Sequence, residues 1–178
     1  LDKPLPLAIL VSSIYLHDIG HTAIGATARI AGPEGPAIPL AMFPSAVREM
    51  HHLLSHHRIL EKGDALFPDD SNPDLAAVLR KVVPWVCAYH REYTTLLAQQ
   101  GKADLSENPL LEKTGQFLYG KDFDRFMAPL QERLEMDRIL EGLPKGYEIK
   151  PKTLLQVTAL LRVLDGCDAQ ADRTVDGT

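Results

Sequence analysis
Apolar positions along this chain repeat with a helical period, in blocks separated by proline and glycine. Residues 7–19 (LAILVSSIYLHDI) are almost uniformly apolar and read as a buried helix that ends near Gly20. Residues 26–44 hold Gly32, Pro33, Gly35, Pro36, Pro39 and Pro44, which is loop composition. Ser45 is placed to cap a helix that reaches about Lys62, with Gly63 as its C-terminal stop. After a loop over 64–72, Asn72 and Pro73 have the order of an N-cap and a first helical residue. The helix that follows is predicted to run to about Gln99, with a kink at Pro84. Residues 101–120 are polar and irregular. Phe123, Phe126, Met127, Leu130 and Leu134 restore the helical period over 122–141, with a kink at Pro129. A turn from Gly142 to Gly146 precedes a last helix, from Pro151 to about Arg173. No strand, repeat or low-complexity tract is predicted. The pattern therefore predicts a single all-α domain over residues 1–178, a bundle of five or six helices with an insertion at 101–146.

Composition narrows the class. With 178 residues, 45% of them apolar and 24% charged, the chain can build a full core. No apolar run approaches the roughly 18 residues of a membrane span. A net charge of −5 argues against a protein that coats nucleic acid, although a local basic groove stays open. Cys87 and Cys167 are too few for a disulfide framework and lack metal-pair spacing, so the expected compartment is the reducing cytoplasm. The histidines are the anomaly. All seven lie between His17 and His90, and six fall within residues 17–57. The chain opens on Leu1 rather than Met, which predicts a fragment of a longer protein.

Four clusters carry candidate chemistry. His17 and Asp18 end the apolar opening helix, with His21 four residues after His17. An ionised aspartate there is costly unless paired or bound to a cation, and imidazole with carboxylate suits a divalent ion. The alternative is an ordinary Asp-Gly helix end. His51, His52, His56 and His57 share one helix. His52 and His56 lie about 40° apart on one face, His51 at its edge and His57 away from it. A solvated polar face is the alternative. His90 lies in the run Trp85-Val86-Cys87-Ala88-Tyr89-His90-Arg91-Glu92, where a core or capping role competes. On the last helix Leu154, Thr158, Leu161 and Asp165 follow +4, +3, +4 spacing, so Asp165 continues the apolar stripe. Asp168 and Asp172 fall within about 60° of it. A carboxylate there needs a counter-charge: a metal, or an arginine such as Arg162 or Arg173.

In this order the clusters resemble the HD superfamily of metal-dependent phosphohydrolases. Leu16-His17-Asp18-Ile19-Gly20-His21 resembles its signature. Met50-His51-His52-Leu53-Leu54-Ser55-His56-His57-Arg58-Ile59-Leu60 is similar to the histidine helix of its two-metal members. Leu160-Leu161-Arg162-Val163-Leu164-Asp165-Gly166-Cys167-Asp168-Ala169 resembles the closing helix with its last aspartate ligand, and Tyr89-His90-Arg91-Glu92 the His-Glu segment of the HD-GYP branch. The resemblance implies an all-helical fold with a metal site between helices. Two departures stand out. No histidine precedes His17, so the family's usual upstream ligand is absent or lies before Leu1. Tyr93-Thr94-Thr95 follows Glu92 where the HD-GYP branch carries Gly-Tyr-Pro, so cyclic-di-GMP hydrolysis is not implied.

Metal chemistry then sets the expectations. His17, Asp18 and Asp165 are expected to hold one divalent ion, and His51 or His52 with His90 a second, Asp18 bridging. Mn, Fe, Ni, Co, Zn or Mg would suit such donors. His21 is expected as a proton donor or phosphate contact, and Arg58, Arg91 and Arg173 as phosphate clamps. The implied activity is hydrolysis of a nucleotide or other phosphate ester. Single-strand nucleic-acid cleavage and a degenerate, non-catalytic sensor or interaction domain are the alternatives. The His17–His21 spacing also fits a zinc-protease helix, but Gly20 and the aspartate in place of a glutamate base argue against it.

Overall fold
A computed structural model of the chain describes residues 4–22, 27–29, 37–39, 44–90 and 139–175. Four long helices build it: α1 (Pro4–Leu16), α2 (Pro44–Leu66), α3 (Pro73–Ala88) and α4 (Pro151–Val175). The fold is an all-α bundle, as the apolar period predicts. One short ribbon interrupts the pattern. Strands β1 (Thr27–Arg29) and β2 (Ala37–Pro39) pair antiparallel, with Ala28 opposite Ile38. No strand is expected from the sequence there. Yet prolines and glycines disfavour helix without forbidding extended pairing, and Thr27 and Ile38 are β-branched.

α1 begins three residues earlier than predicted, because prolines at positions 4 and 6 need no helical N–H partner in a first turn. It ends at Leu16, not Ile19. A bond from His17 N–H to Ser13 O at 2.8 Å closes it, and a 3-10 turn covers Ile19–Thr22. That turn packs on α2, while α1 packs on α3 and α4. A zinc-protease helix is thereby ruled out, since His17 and His21 do not share an α-helix.

α2 is interrupted at Lys62 (φ −110°, ψ 16°) and then continues to Leu66. The break falls at the predicted end, about Lys62, and a further short helical stretch follows it through Gly63. A Cβ there would stand 3.3 Å from Cγ of Arg80, so glycine is what lets the Arg80 stem pass. Arg80 then bonds Asp64 (3.0 Å), Asp69 and the Phe67 carbonyl (3.1 Å), tying α3 to the end of α2 and the segment after it. Asn72 caps α3 as predicted, its Oδ1 accepting from Leu75 N–H at 3.0 Å. α3 continues through Pro84 to Ala88, and Tyr89 and His90 form a turn beyond it. The expected extension to Gln99 lies outside the described residues, as do residues 101–138 of the insertion. Of the helix expected over 122–141, Ile139 and Leu140 are described and helical, and Glu141 is already in the turn that follows. Gly142 (φ 68°) and Gly146 (φ 89°) adopt left-handed backbone in the predicted turn.

The core runs through all four helices. Ile9 of α1, Leu53 and Ile59 of α2, Val78, Val82 and Val83 of α3, and Val157 and Leu161 of α4 are all fully or almost fully buried. Burying each such side chain contributes about 1.5–3 kcal/mol. Among the described residues, no helix is long and apolar enough to cross a membrane.

Candidate metal centre
Three segments bring imidazoles to one place. His17 sits in the turn after α1, His51 on α2 and His90 in the turn after α3. Their orientation is set locally and by the same device. Nδ1 of each faces the carbonyl three residues earlier: His17 to Ile14 O (2.8 Å), His51 to Arg48 O (2.6 Å) and His90 to Cys87 O (2.5 Å). A carbonyl can only accept, so each Nδ1 carries the proton. Each Nε2 is then left with a lone pair.

Those three Nε2 atoms converge with Asp18. Oδ2 of Asp18 lies 3.4 Å from His17 Nε2, and its Oδ1 lies 3.4 Å from His51 Nε2 and 3.6 Å from His21 Nε2. The last helix delivers Asp165, whose Oδ1 is 3.6 Å from His17 Nε2. Its carboxylate is 29% exposed and ends the stripe of Leu154, Thr158 and Leu161, all buried. Among the described residues it faces His17 and no arginine. Ligand atoms on opposite sides of a tetrahedral angle stand about 3.4 Å apart when each bond is about 2.1 Å. The observed spacings match that distance.

Two overlapping triads result: His17, Asp18 and His90, and Asp18, His21 and His51. Within each, the candidate ligand atoms lie within 4.8 Å of one another. The grouping differs from the expected one. His90 falls with His17 rather than with His51 alone. His21 falls with Asp18 and His51, because the 3-10 turn stacks its ring on His51 at 4.2 Å between centroids.

The clearest electrostatic feature is between His51 and His90, whose Nε2 atoms are 3.2 Å apart. Both Nδ1 atoms face carbonyls, so this contact needs a proton on one Nε2 or a cation beside the pair. A proton is disfavoured. Burial pushes the His90 pKa down to about 3, and the neighbouring His51 and His17 lower it further against the opposing pull of the Cys87 carbonyl and Asp18. A divalent ion beside the pair would relieve the contact without a proton on His90.

The remaining sequence candidates are placed as follows. His52 is buried beside the cluster, its ring 5.8 Å from His51 and 6.4 Å from His90. His56 turns to Trp85 instead, edge to face at 4.7 Å. Burial and the adjacent His57 push its pKa down to about 3. Arg58 is engaged by Glu61 at 3.2 Å. Arg91 and the side chains of Asp168, Asp172 and Arg173 lie outside the described residues.

Two residues around the cluster carry no chemical signal in the sequence. Ser55 donates to the His17 carbonyl (2.5 Å) and accepts from Gly20 N–H (2.8 Å). Gly20 lies so close to α2 that an added Cβ would stand 2.1 Å from His51 O. The one hint was position: Ser55 follows His51 by one helical turn.

The HD-CE family model matches residues 3–117, more than half of the chain, and covers every residue of both triads. Asp165 lies beyond the match, so its place rests on geometry. No curated protein and no solved structure matches the chain.

Proposed function
As this chain belongs to the HD-CE family, we propose that it is a metal-dependent phosphohydrolase acting on a nucleotide or another phosphate ester. The observation that carries the reading is the shared orientation of His17, His51 and His90. Each donates Nδ1–H to its own backbone; Nε2 of His17 and of His51 then faces Asp18 at 3.4 Å, and Nε2 of His90 faces that of His51 at 3.2 Å. Fixing the outer nitrogen in this way is what sets a ligating imidazole's tautomer.

In this reading His17, Asp18 and His90 would hold one divalent ion, with the Asp165 carboxylate beside His17 adding negative charge. Asp18, His21 and His51 would hold a second. When bound, divalent cations polarise water and neutralise phosphate charge. The chain's own residues shape access. His51 and His90 are buried and form the floor, whereas Asp18 is 50% and His21 43% exposed. A phosphate therefore approaches over Asp18 and His21. We assign His21 to the second ion rather than to proton transfer, because its ring is fixed against His51 beside Asp18. Arg58 receives no phosphate role, since Glu61 holds it. The net charge of −5 favours a small phosphorylated substrate over a nucleic-acid strand.

The test is metal content after exposure to mixed divalent ions, followed by phosphate release from a nucleotide panel alongside single-stranded DNA and RNA. The expected result is a divalent ion lost in His17→Ala and Asp165→Ala, and nucleotide hydrolysis lost with it. A protein that takes up no divalent ion, or takes it up equally in both variants, refutes the reading. Strand cleavage without nucleotide turnover would assign the site to a nuclease instead.

A further inference from the structure
Building on the metal reading, we propose that Ser55 is a positioning residue that sets the metal affinity of the cluster without touching the ion. Its hydroxyl is fully buried and used in both directions. The proton goes to the His17 carbonyl and a lone pair accepts from Gly20 N–H. One side chain thus holds both ends of the turn that presents His17 and Asp18.

The contrast with other buried hydroxyls is informative. Ser13 and Thr158 bond back to their own helices, to Ile9 O (2.8 Å) and Leu154 O (3.0 Å). That is the usual habit of a helical Ser or Thr. Ser55 reaches across to another segment instead. The helical turn it occupies is the one that carries His51, and Gly20 permits the contact because no Cβ intervenes. Asp18 Oδ1 and His51 Nε2 therefore keep their 3.4 Å spacing through a clasp that lies one turn along α2. Without the hydroxyl, the turn can lift from α2, and the Asp18 carboxylate moves relative to His51.

Cobalt(II) is the probe, because its visible absorption reports ligand geometry as well as occupancy. Ser55→Ala is expected to weaken cobalt binding about 10- to 100-fold, the usual range for loss of a partner that orients metal ligands. Its absorption bands are expected to shift. Thr158→Val, which removes a buried hydroxyl bonded within α4, is the control and is expected to keep the wild-type affinity and bands. A Ser55→Ala protein with wild-type affinity and spectrum overturns the inference. So does a Thr158→Val protein that changes to the same extent, because the effect would then be general destabilisation.

Should Ser55→Ala not fold, amide exchange of the unmodified protein decides. Saturating zinc is expected to slow Gly20 N–H exchange about 10-fold more than that of Ala76, whose amide bonds Asn72 O at the start of α3. Equal slowing overturns the inference. A wild-type chain that binds neither ion is a separate result, and it removes the metal reading and this inference together.

Discussion

Asp18 holds its two oxygens toward different imidazoles, Oδ2 to His17 and Oδ1 to His21 and His51. Asp18→Asn keeps the volume but replaces one oxygen and removes the charge. It is expected to weaken divalent-ion binding by more than the roughly 100-fold typical of orienting partners, as isothermal titration calorimetry would measure. Gly20 offers a second check at this scale. Gly20→Ala places a methyl against the His51 carbonyl and the Ser55 amide, 2.1 and 2.5 Å from the built Cβ. Overpacking of this kind costs about 1–3 kcal/mol and occasionally more, visible as a lower urea midpoint. Much at this scale was legible in the sequence. A carboxylate and imidazoles confined to the first half of the chain pointed to one site. The choice between His51 and His52 was not legible, because helical arithmetic gives each residue a direction but not the neighbour it meets. Ser55 was invisible for a related reason: a hydroxyl's partner across 35 or more residues has no local signature.

The histidine helix α2 has two unlike ends of its stripe, His51 at the cluster and His56 against Trp85. His56 is neutral when folded, its pKa held down to about 3 by burial and then by His57. Above pH 6.5 it is neutral in both folded and unfolded chains and adds no pH dependence. Below that value the unfolded chain takes up a proton that the native state refuses. Stability is then expected to fall as pH drops from 6.5 toward 3, by up to about 1.4 kcal/mol per pH unit. In the metal-free protein His90 adds a second such contribution. Chemical denaturation at pH 7 and pH 5 measures the slope, and His56→Phe should reduce it. At the start of α3, Asn72 accepts from Leu75 N–H and donates Nδ2–H to the Tyr147 hydroxyl at 2.8 Å. Asn72→Ala is expected to cost about 0.5–2 kcal/mol, read from urea unfolding. The starts of α3 and α4 were legible, since Asn-Pro fixes a helix origin by local bonding alone, whereas α1 begins three residues early and α2 begins at Pro44, before its predicted cap Ser45. Element ends were less so. The short helical stretch after the Lys62 break was not predicted, and what Gly63 meets there, the Arg80 stem of α3, is a tertiary fact.

At the scale of the whole molecule the cluster joins all four helices, through the turns after α1 and α3, through α2 and through α4. A ligand that binds only the assembled site stabilises the fold by mass action, about 2.7 kcal/mol at a free concentration 100 times Kd. For a chain of this length that corresponds to roughly 5–10 °C in Tm. Differential scanning calorimetry with divalent ion and with chelator checks it, and an unchanged Tm would contradict a site that bridges helices. The bundle was legible from apolar periodicity because four amphipathic or apolar stripes leave few other ways to bury themselves. The β1–β2 ribbon was not, since two three-residue strands carry almost no periodic signal. His17 and Asp165 also stand at opposite ends of the described chain, yet 3.6 Å apart. Both triads, by contrast, are complete by His90. During synthesis the nitrogen-rich half of the site therefore leaves the ribosome first and can gather its ligands early. The Asp165 carboxylate arrives only with α4, after a long loop closure from His17. The order of translation makes Asp165 the latch rather than the seed.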